Sequence, residues 1–132
     1  MTKFSALLAA SAAVTLLAAP AAAEERPKGE AKLAEMLEGR VAGEPERCIR
    51  LMGSDPLTII DGTAVVAKRG DTIWVNRTAN PDTLDDDDRM TIRKFSASQL
   101  CRLDQVTTHS RTGNFYTGNI MLQDFVPYRR EG

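Results

Sequence analysis

The chain has little of the chemistry on which many enzymes and metal sites depend. Its 132 residues include one histidine, His109, and two cysteines, Cys48 and Cys101. A structural zinc site needs more Cys and His ligands than these, and a dithiol redox centre usually has Cys-x-x-Cys spacing, which is absent. The chain also lacks a Gly-x-Ser-x-Gly motif and a phosphate-binding glycine loop. We therefore predict neither a bound metal nor a cofactor.

An excess of charge of one sign is also lacking. The chain has 17 basic and 18 acidic residues, which leaves a formal net charge of −1. Nucleic-acid binding usually requires a basic stripe, so no nucleic-acid partner is expected. Beyond the N-terminus, no apolar run approaches the roughly 20 residues that span a bilayer. The mature form is therefore predicted to have no transmembrane segment.

The N-terminus carries the clearest pattern in the sequence. Lys3 precedes an uncharged run rich in leucine and alanine over residues 4–19, and Pro20 ends that run. Three alanines and the acidic Glu24 follow. This order is typical of a signal peptide, whereas the run is short and rich in alanine for an uncleaved anchor. We predict a signal peptide over residues 1–23, cleavage after Ala23, and a periplasmic or secreted protein of bacterial type.

In an oxidising compartment the two cysteines favour a disulfide. Cys48 and Cys101 can form one intramolecular bond, and small exported domains often depend on such links. Two free thiols or a redox pair are the alternatives. A disulfide that closes so long a loop stabilises a domain by roughly 4 kcal/mol in the chain-entropy model. We predict a structural disulfide.

Residues 24–44 are predicted to form a linker and one short helix. The polar residues 24–30 are assigned to the linker. The apolar positions that follow lie at helical spacing, and they are Leu33, Met36, Leu37 and Val41. Gly39 and Gly43 favour an end to the helix, and Pro45 forbids its continuation. The helix is short and is expected to depend on packing against the rest of its domain.

From residue 45 to residue 132 the apolar period changes to two, which is typical of strands. Arg69-Gly70-Asp71 joins two of the strands as a hairpin. Short strands with turns about every ten residues indicate a sandwich or a barrel. The predicted fold is mainly β: a small antiparallel barrel or sandwich of five to seven strands with one short N-terminal helix. The predicted strands cover residues 47–51, 57–60, 63–68, 72–76, 91–95, 104–109 and 119–126.

The most prominent acidic feature is the run of four aspartates over residues 85–88, with Asp82 nearby. A Ca²⁺ ion takes six to eight oxygen ligands from a loop that a glycine shapes, and the pattern Asp-x-Asp-x-Asp-Gly is absent. Adjacent carboxylates point in different directions, so they rarely share one ion. A solvated acidic loop is the favoured interpretation.

Six residues remain as candidates for a functional site. Candidates for a catalytic role lie at predicted turns or strand ends, where site residues often occur, and they are Asp61, Asp104 and His109. A surface histidine is nevertheless the simpler interpretation of His109. Aromatic residues in so small a domain usually form its core and rim. The candidates for ligand binding are Trp74, Asn76 and Tyr116.

Several short motifs span nearly the whole predicted mature domain, and they are Cys48-Ile49, Ile60-Asp61, Val75-Asn76-Arg77, Leu100-Cys101 with Asp104, and Asp-Phe-Val-Pro-Tyr at 124–128. In these motifs the chain resembles a family of small exported proteobacterial proteins that carry a domain of unknown function. Many members of that family have four cysteines, and two of them would fall near Asn80 and Ile120. The resemblance implies that one bridge is lost here and that Cys48–Cys101 remains. It implies no activity.

We expect a non-enzymatic periplasmic or secreted envelope protein that binds a partner protein or a small ligand, because a small disulfide-linked domain without a catalytic signature fits that class. The first alternative is a small carboxylate-dependent hydrolase or lyase that uses Asp61, Asp104 or His109. The second is a periplasmic inhibitor or chaperone-like module, which would need a large exposed apolar patch.

Overall fold

The computed structural model describes residues 28–131. The predicted signal peptide, its cleavage site and the first part of the linker lie outside the described residues. Within that range the chain forms one α-helix, ten strands and one short 3-10 turn (Pro81–Thr83). The helix is α1 (Lys28–Met36), and the strands are β1 (Arg40–Ala42), β2 (Cys48–Arg50), β3 (Leu57–Ile60), β4 (Ala64–Arg69), β5 (Thr72–Asn76), β6 (Asp88–Arg93), β7 (Gln99–Cys101), β8 (Gln105–Ser110), β9 (Tyr116–Ile120) and β10 (Val126–Arg130).

The strands form three antiparallel sheets. The largest has the order β1–β10–β5–β4–β3, the smallest pairs β2 with β7, and the third has the order β6–β8–β9. The mainly β prediction is confirmed. No sheet closes on itself within residues 28–131, so the sandwich alternative fits and the barrel does not. The strand count exceeds the predicted five to seven, because the three-residue strands β1 and β7 are too short to show a clear period in the sequence and one predicted strand is two.

The five-stranded sheet has packed side chains on both of its faces. Successive side chains of a strand alternate between the two faces. On one face, Val65 and Ala67 of β4 pack with residues from the two smaller sheets. On the other face, Ala64 and Val66 pack with Leu33 of helix α1. The molecule therefore has three layers: the helix, the five-stranded sheet, and the two smaller sheets.

The helix differs from its prediction at both ends. It begins at Lys28, inside the segment assigned to the linker, and it ends at Met36. Val41 was assigned to its apolar stripe but lies in β1 and is 49% exposed. The assignment failed because Gly39 turns the chain at a φ of +75°. After that turn, β1 pairs with the C-terminal strand β10, which is a non-local contact.

Local turn chemistry explains where the hairpin strands begin and end. The β3 prediction and the β5 prediction match the observed bounds, while β4 is shifted by one residue. Gly70 and Asp71 form the turn between β4 and β5, and Gly70 has a φ of +57°, which favours glycine. The predicted strand over 91–95 begins earlier, at Asp88. The one predicted over 119–126 is two strands, β9 and β10, with a connection between them.

The two cysteines form the predicted disulfide. Cys48 of β2 and Cys101 of β7 lie directly opposite each other in the antiparallel pair, and their Cα atoms are 3.9 Å apart. A two-stranded pair this short has little stability of its own. The covalent bond therefore holds the smallest sheet together.

Within residues 28–131, no helix combines the length and the apolar character that a membrane crossing requires.

Candidate functional site

The most distinctive polar surface of the described chain is one face of the β6–β8–β9 sheet. Alternate residues of these strands, among them Met90 and Val106, point into the sandwich core. The residues between them point away from the core and are exposed or half-buried. We call this surface the outer face, and its members are Arg89, Thr91, Arg93, Gln105, Thr107, His109, Tyr116 and Asn119.

The strand register arranges the outer face in rows that cross the sheet. Arg89 lies opposite His109, which in turn lies opposite Tyr116. The next row is Thr91, Thr107 and Asn119, and the third begins with Arg93 and Gln105. Opposite side chains in such rows are close enough to contact one ligand together. Arg93 lies four positions after Arg89, so the face extends about 14 Å along β6.

The outer face is positively charged because it carries arginines and no carboxylate. Neither Arg89 nor Arg93 forms an ion pair with any residue of the 28–131 range. The nearest acidic residue on these strands, Asp88, belongs to the opposite side of β6, where its carboxylate accepts a hydrogen bond of 2.8 Å from Thr117. The two guanidinium groups are therefore available to an anionic ligand.

One end of the outer face is aromatic. The rings of His109 and Tyr116 meet edge to face, with centroids 6.1 Å apart and planes at 74°. Tyr116 is 58% exposed. The Nδ1 atom of His109 is buried without a hydrogen-bond partner in the described part of the chain. A β-bulge between Thr108 and His109 shifts the register here and aims the Tyr116 ring at His109.

The middle of the outer face has a shallow depression of about 370 Å³. Its lining combines two threonine hydroxyls, an amide, an imidazole and a guanidinium, from Thr91, Thr107, Gln105, His109 and Arg93. The side-chain amides of Gln105 and Asn119 form no hydrogen bond within residues 28–131. Donors and acceptors on an open sheet face are suited to a ligand that carries many hydroxyl groups.

The structure separates the three catalytic candidates. Asp104 is 5% exposed, and its carboxylate accepts hydrogen bonds from the backbone N–H groups of Cys101 (2.7 Å) and Phe95 (3.2 Å). It therefore holds the turn that leads into β8. His109 lies near the far end of the same strand, about 17 Å along the chain direction. Asp61 lies in the exposed turn between β3 and β4. The fold does not gather them in one pocket.

Asp61 instead lies beside the predicted acidic loop. One of its carboxylate oxygens and one each from Asp85 and Asp86 lie within 4.8 Å of one another, and all three residues are exposed. A backbone hydrogen bond of 2.9 Å from Gly62 to Leu84 brings the two segments together. Such exposed acidic groups commonly occur without an ion, and a solvated acidic loop remains the prediction.

Two of the ligand-binding candidates lie in the core. Trp74 is 8% exposed, and its indole N–H donates to a carboxylate oxygen of Glu46 at 3.1 Å. Asn76 is fully buried. Its amide donates to the carbonyl of Gln123 (2.6 Å) and accepts from the N–H groups of Gln123 (2.9 Å) and Thr78 (3.0 Å). These contacts engage the amide in holding two chain segments together. Tyr116 alone of the three lies on an open surface.

Sequence reasoning missed most of the outer face. It named His109 as a candidate for catalysis and Tyr116 as a candidate for ligand binding, and the fold places the two side by side. It did not name Arg89 or Arg93. Their signal was the alternation of polar and apolar residues over 88–93, which marks one exposed side of a strand. The partners on β8 and β9 required the strand order.

Comparison of the chain with protein-family models, with curated proteins and with solved structures gave no match. The family resemblance therefore remains a prediction.

Proposed function

We propose that this protein is an exported, non-enzymatic binding module whose outer face binds an acidic carbohydrate. The observation that carries the proposal is that Arg89 and Arg93 form no ion pair with the described residues and lie beside a row of hydroxyl and amide side chains on one open sheet face. Each part of that surface matches one part of an acidic sugar.

The arginines supply the recognition of negative charge. A guanidinium can donate two parallel hydrogen bonds to one carboxylate, and these bonds are stronger than bonds between neutral groups. Arg89 and Arg93 lie about 14 Å apart along β6, so they can contact two acidic groups of an extended chain. The whole protein has a formal net charge of −1, so the attraction is local to this face.

The neutral groups supply the recognition of hydroxyls. The side chains of Thr91, Thr107, Gln105 and Asn119 can each donate or accept, as sugar hydroxyls do. The exposed ring of Tyr116 offers an apolar surface at the edge of the sheet, and its hydroxyl can bond at the same time. An open, shallow face is suited to a polymer that lies across it.

The disulfide supports export. Disulfides form and persist in oxidising compartments and are rare in the cytosol. The Cys48–Cys101 bond joins β2 and β7, the two strands of the smallest sheet. A periplasmic or secreted location brings the protein into contact with envelope or extracellular polysaccharide.

The separation of Asp61, Asp104 and His109 supports a binding role over the hydrolase or lyase alternative, because paired acid and base groups must lie near the same bond.

The inhibitor or chaperone-like alternative depends on a different feature, an exposed apolar patch. Phe95 is 90% exposed and Leu103 is 73% exposed beside the disulfide. These side chains contribute little to a surface that would bind sugars.

The test uses the exported, oxidised protein and two polymers. We expect retardation in a native gel that contains polygalacturonate and no retardation in one that contains dextran, which is uncharged. The double variant Arg89→Gln/Arg93→Gln should weaken calorimetric binding of an oligogalacturonide tenfold or more, since each charge-assisted hydrogen bond contributes about 1.5–3 kcal/mol. Added salt should weaken binding by the wild type.

The matched control is Arg50→Gln, which removes an exposed arginine from β2. It changes the net charge in the same direction but lies outside the outer face, so it should bind as the wild type does. Equal retardation by dextran would contradict the acidic ligand. Full binding by the Arg89/Arg93 double variant would contradict the site.

A further inference from the structure

The β3 strand has a free edge. Within residues 28–131 it pairs with β4 alone. The hydrogen bond from the Lys68 N–H to the Pro56 carbonyl fixes which residues of β3 face β4. Hydrogen-bonded pairs alternate along an antiparallel ladder, so Thr58 and Ile60 point their backbone groups at β4. The N–H and C=O groups of Leu57 and Ile59 therefore point outward, and neither residue has another partner in the described chain.

A cleft of about 460 Å³ runs along this edge on the open side of the sandwich, between β3 and β6. Its apolar lining consists of Leu57, Ile59, Met90 and Ile92, which also contact the main core. A strand added beside β3 would extend the sheet and cover these partly buried side chains. The cleft is therefore apolar along its base and has unpaired backbone groups along one wall.

Natural sheets usually protect such edges. Charged side chains, an internal proline or a bulge commonly prevent a second chain from pairing with an edge strand. The β3 sequence, Leu-Thr-Ile-Ile, has no charge and no proline within it, and its pairing with β4 has no register shift. Its one exposed side chain is that of Thr58. This edge is open to a partner strand.

We propose that β3 pairs antiparallel with β3 of a second copy of this chain, about a two-fold axis that passes through Thr58. In that register Leu57 of each copy lies opposite Ile59 of the other. Both residues point their backbone groups outward, so each pair exchanges N–H···O bonds in both directions. The axis brings the two Thr58 side chains face to face on the opposite side of the sheet, and threonine pairs are favourable there.

The charges at the mouth of the cleft favour a second copy over an unrelated segment. Asp86 and Asp88 lie beside Arg111 at this rim. A two-fold interface brings the same surface of both copies together. A rim that carries both carboxylates and a guanidinium can form ion pairs with itself. An acidic or a basic peptide would meet a like charge at one or more of these positions.

The test introduces a positive or a negative charge at the two-fold axis. In analytical ultracentrifugation the wild type should show a dimer that dissociates on dilution, because the interface is small. Thr58→Lys and Thr58→Glu should each be monomeric, since the axis places two like charges on directly opposite positions. An equimolar mixture of the two variants should form a heterodimer. Misfolding cannot produce that recovery, because neither variant forms dimers alone.

The matched control is Thr112→Lys, which adds the same charge to an exposed turn and should leave the dimer intact. A second measurement follows the backbone directly: amide exchange at Leu57 and Ile59 should slow as protein concentration rises. A wild type that remains monomeric at the highest concentration overturns the proposal and leaves the β3 edge to an extended segment of another protein. A dimer that survives both Thr58 variants, or a mixture that stays monomeric, also overturns it.

Discussion

Removal of the disulfide is the change whose effect can be worked out most directly from the fold. The double variant Cys48→Ala/Cys101→Ala deletes the bond and little else, because Cys48 is exposed and Cys101 is half-buried. Little core volume is lost, so the effect comes chiefly from the freedom that the unfolded chain regains. The β2–β7 pair would then depend on its own backbone bonds and on the packing of Ile49 and Leu100.

The size of the effect follows from the loop that the disulfide closes. The two cysteines are 53 residues apart, and a loop of that length corresponds to about 4 kcal/mol of lost chain entropy at 25 °C. A domain of about a hundred residues has an unfolding entropy of roughly 0.2 kcal/mol/K at its midpoint. Division of the first quantity by the second gives a decrease in Tm of about 20 °C.

The assay is thermal unfolding followed by far-ultraviolet circular dichroism. The wild type in an excess of reductant should melt near the temperature of the double variant, because both lack the same constraint. The matched control Arg50→Ala truncates an exposed side chain on the same strand as Cys48 and should change stability by less than about 0.5 kcal/mol. A decrease in Tm of less than about 5 °C for the double variant would refute the chain-entropy argument.

Two further predictions concern the contacts that hold the layers together. Asn76→Ala should destabilise the protein by about 3 kcal/mol in urea unfolding, because it leaves the N–H groups of Thr78 and Gln123 and the Gln123 carbonyl without partners. An unchanged unfolding midpoint would contradict this prediction, and the control is Thr112→Ala at an exposed position. Gly29→Ala should lower Tm although alanine favours helices by about 1 kcal/mol, because its Cβ would clash with Oγ1 of Thr63. A rise in Tm would show that α1 does not press against the β3–β4 turn.

The parts of the fold that local sequence determines were predictable. The strands β3 and β5 match their predicted bounds because a turn with Gly or Pro adjoins each of them and their apolar patterns are strong. The Cys48–Cys101 disulfide could be predicted since a second pairing does not exist within one chain. In these cases a few neighbouring residues determine the strand bounds, or the number of cysteines determines the pairing.

The parts that depend on distant pairing were not predictable. Val41 stands four residues after Leu37, which fits a helix, but β1 exists only because β10 returns from the far end of the chain to pair with it. The interface between helix and sheet has the same character. In the sequence Ala64 and Val66 belong to one apolar run. Which element packs against each face of the sheet is decided only by the tertiary structure.

The outer face shows the same limit at the level of the site. The alternation around Arg89 and Arg93 shows that these side chains share one side of a strand. Which residues lie across from them depends on the order β6–β8–β9, and a bulge alters the register at His109. The row that joins Arg89, His109 and Tyr116 is therefore absent from any local pattern, although each member is visible in the sequence.

The two proposed surfaces are geometrically compatible, and that compatibility bears on how the protein would act. A two-fold axis perpendicular to the five-stranded sheet leaves both copies of the β6–β8–β9 sheet on the same side of the extended sheet, because opposite side chains of paired strands share a face. Both outer faces would then point toward one surface. A polymer that reached one face would be held near the other at high effective concentration, so paired modules would bind a polysaccharide more tightly than either face binds a short oligosaccharide. A weak site on a small domain therefore suffices for attachment to a polymer, provided that the β3 edge brings two copies together.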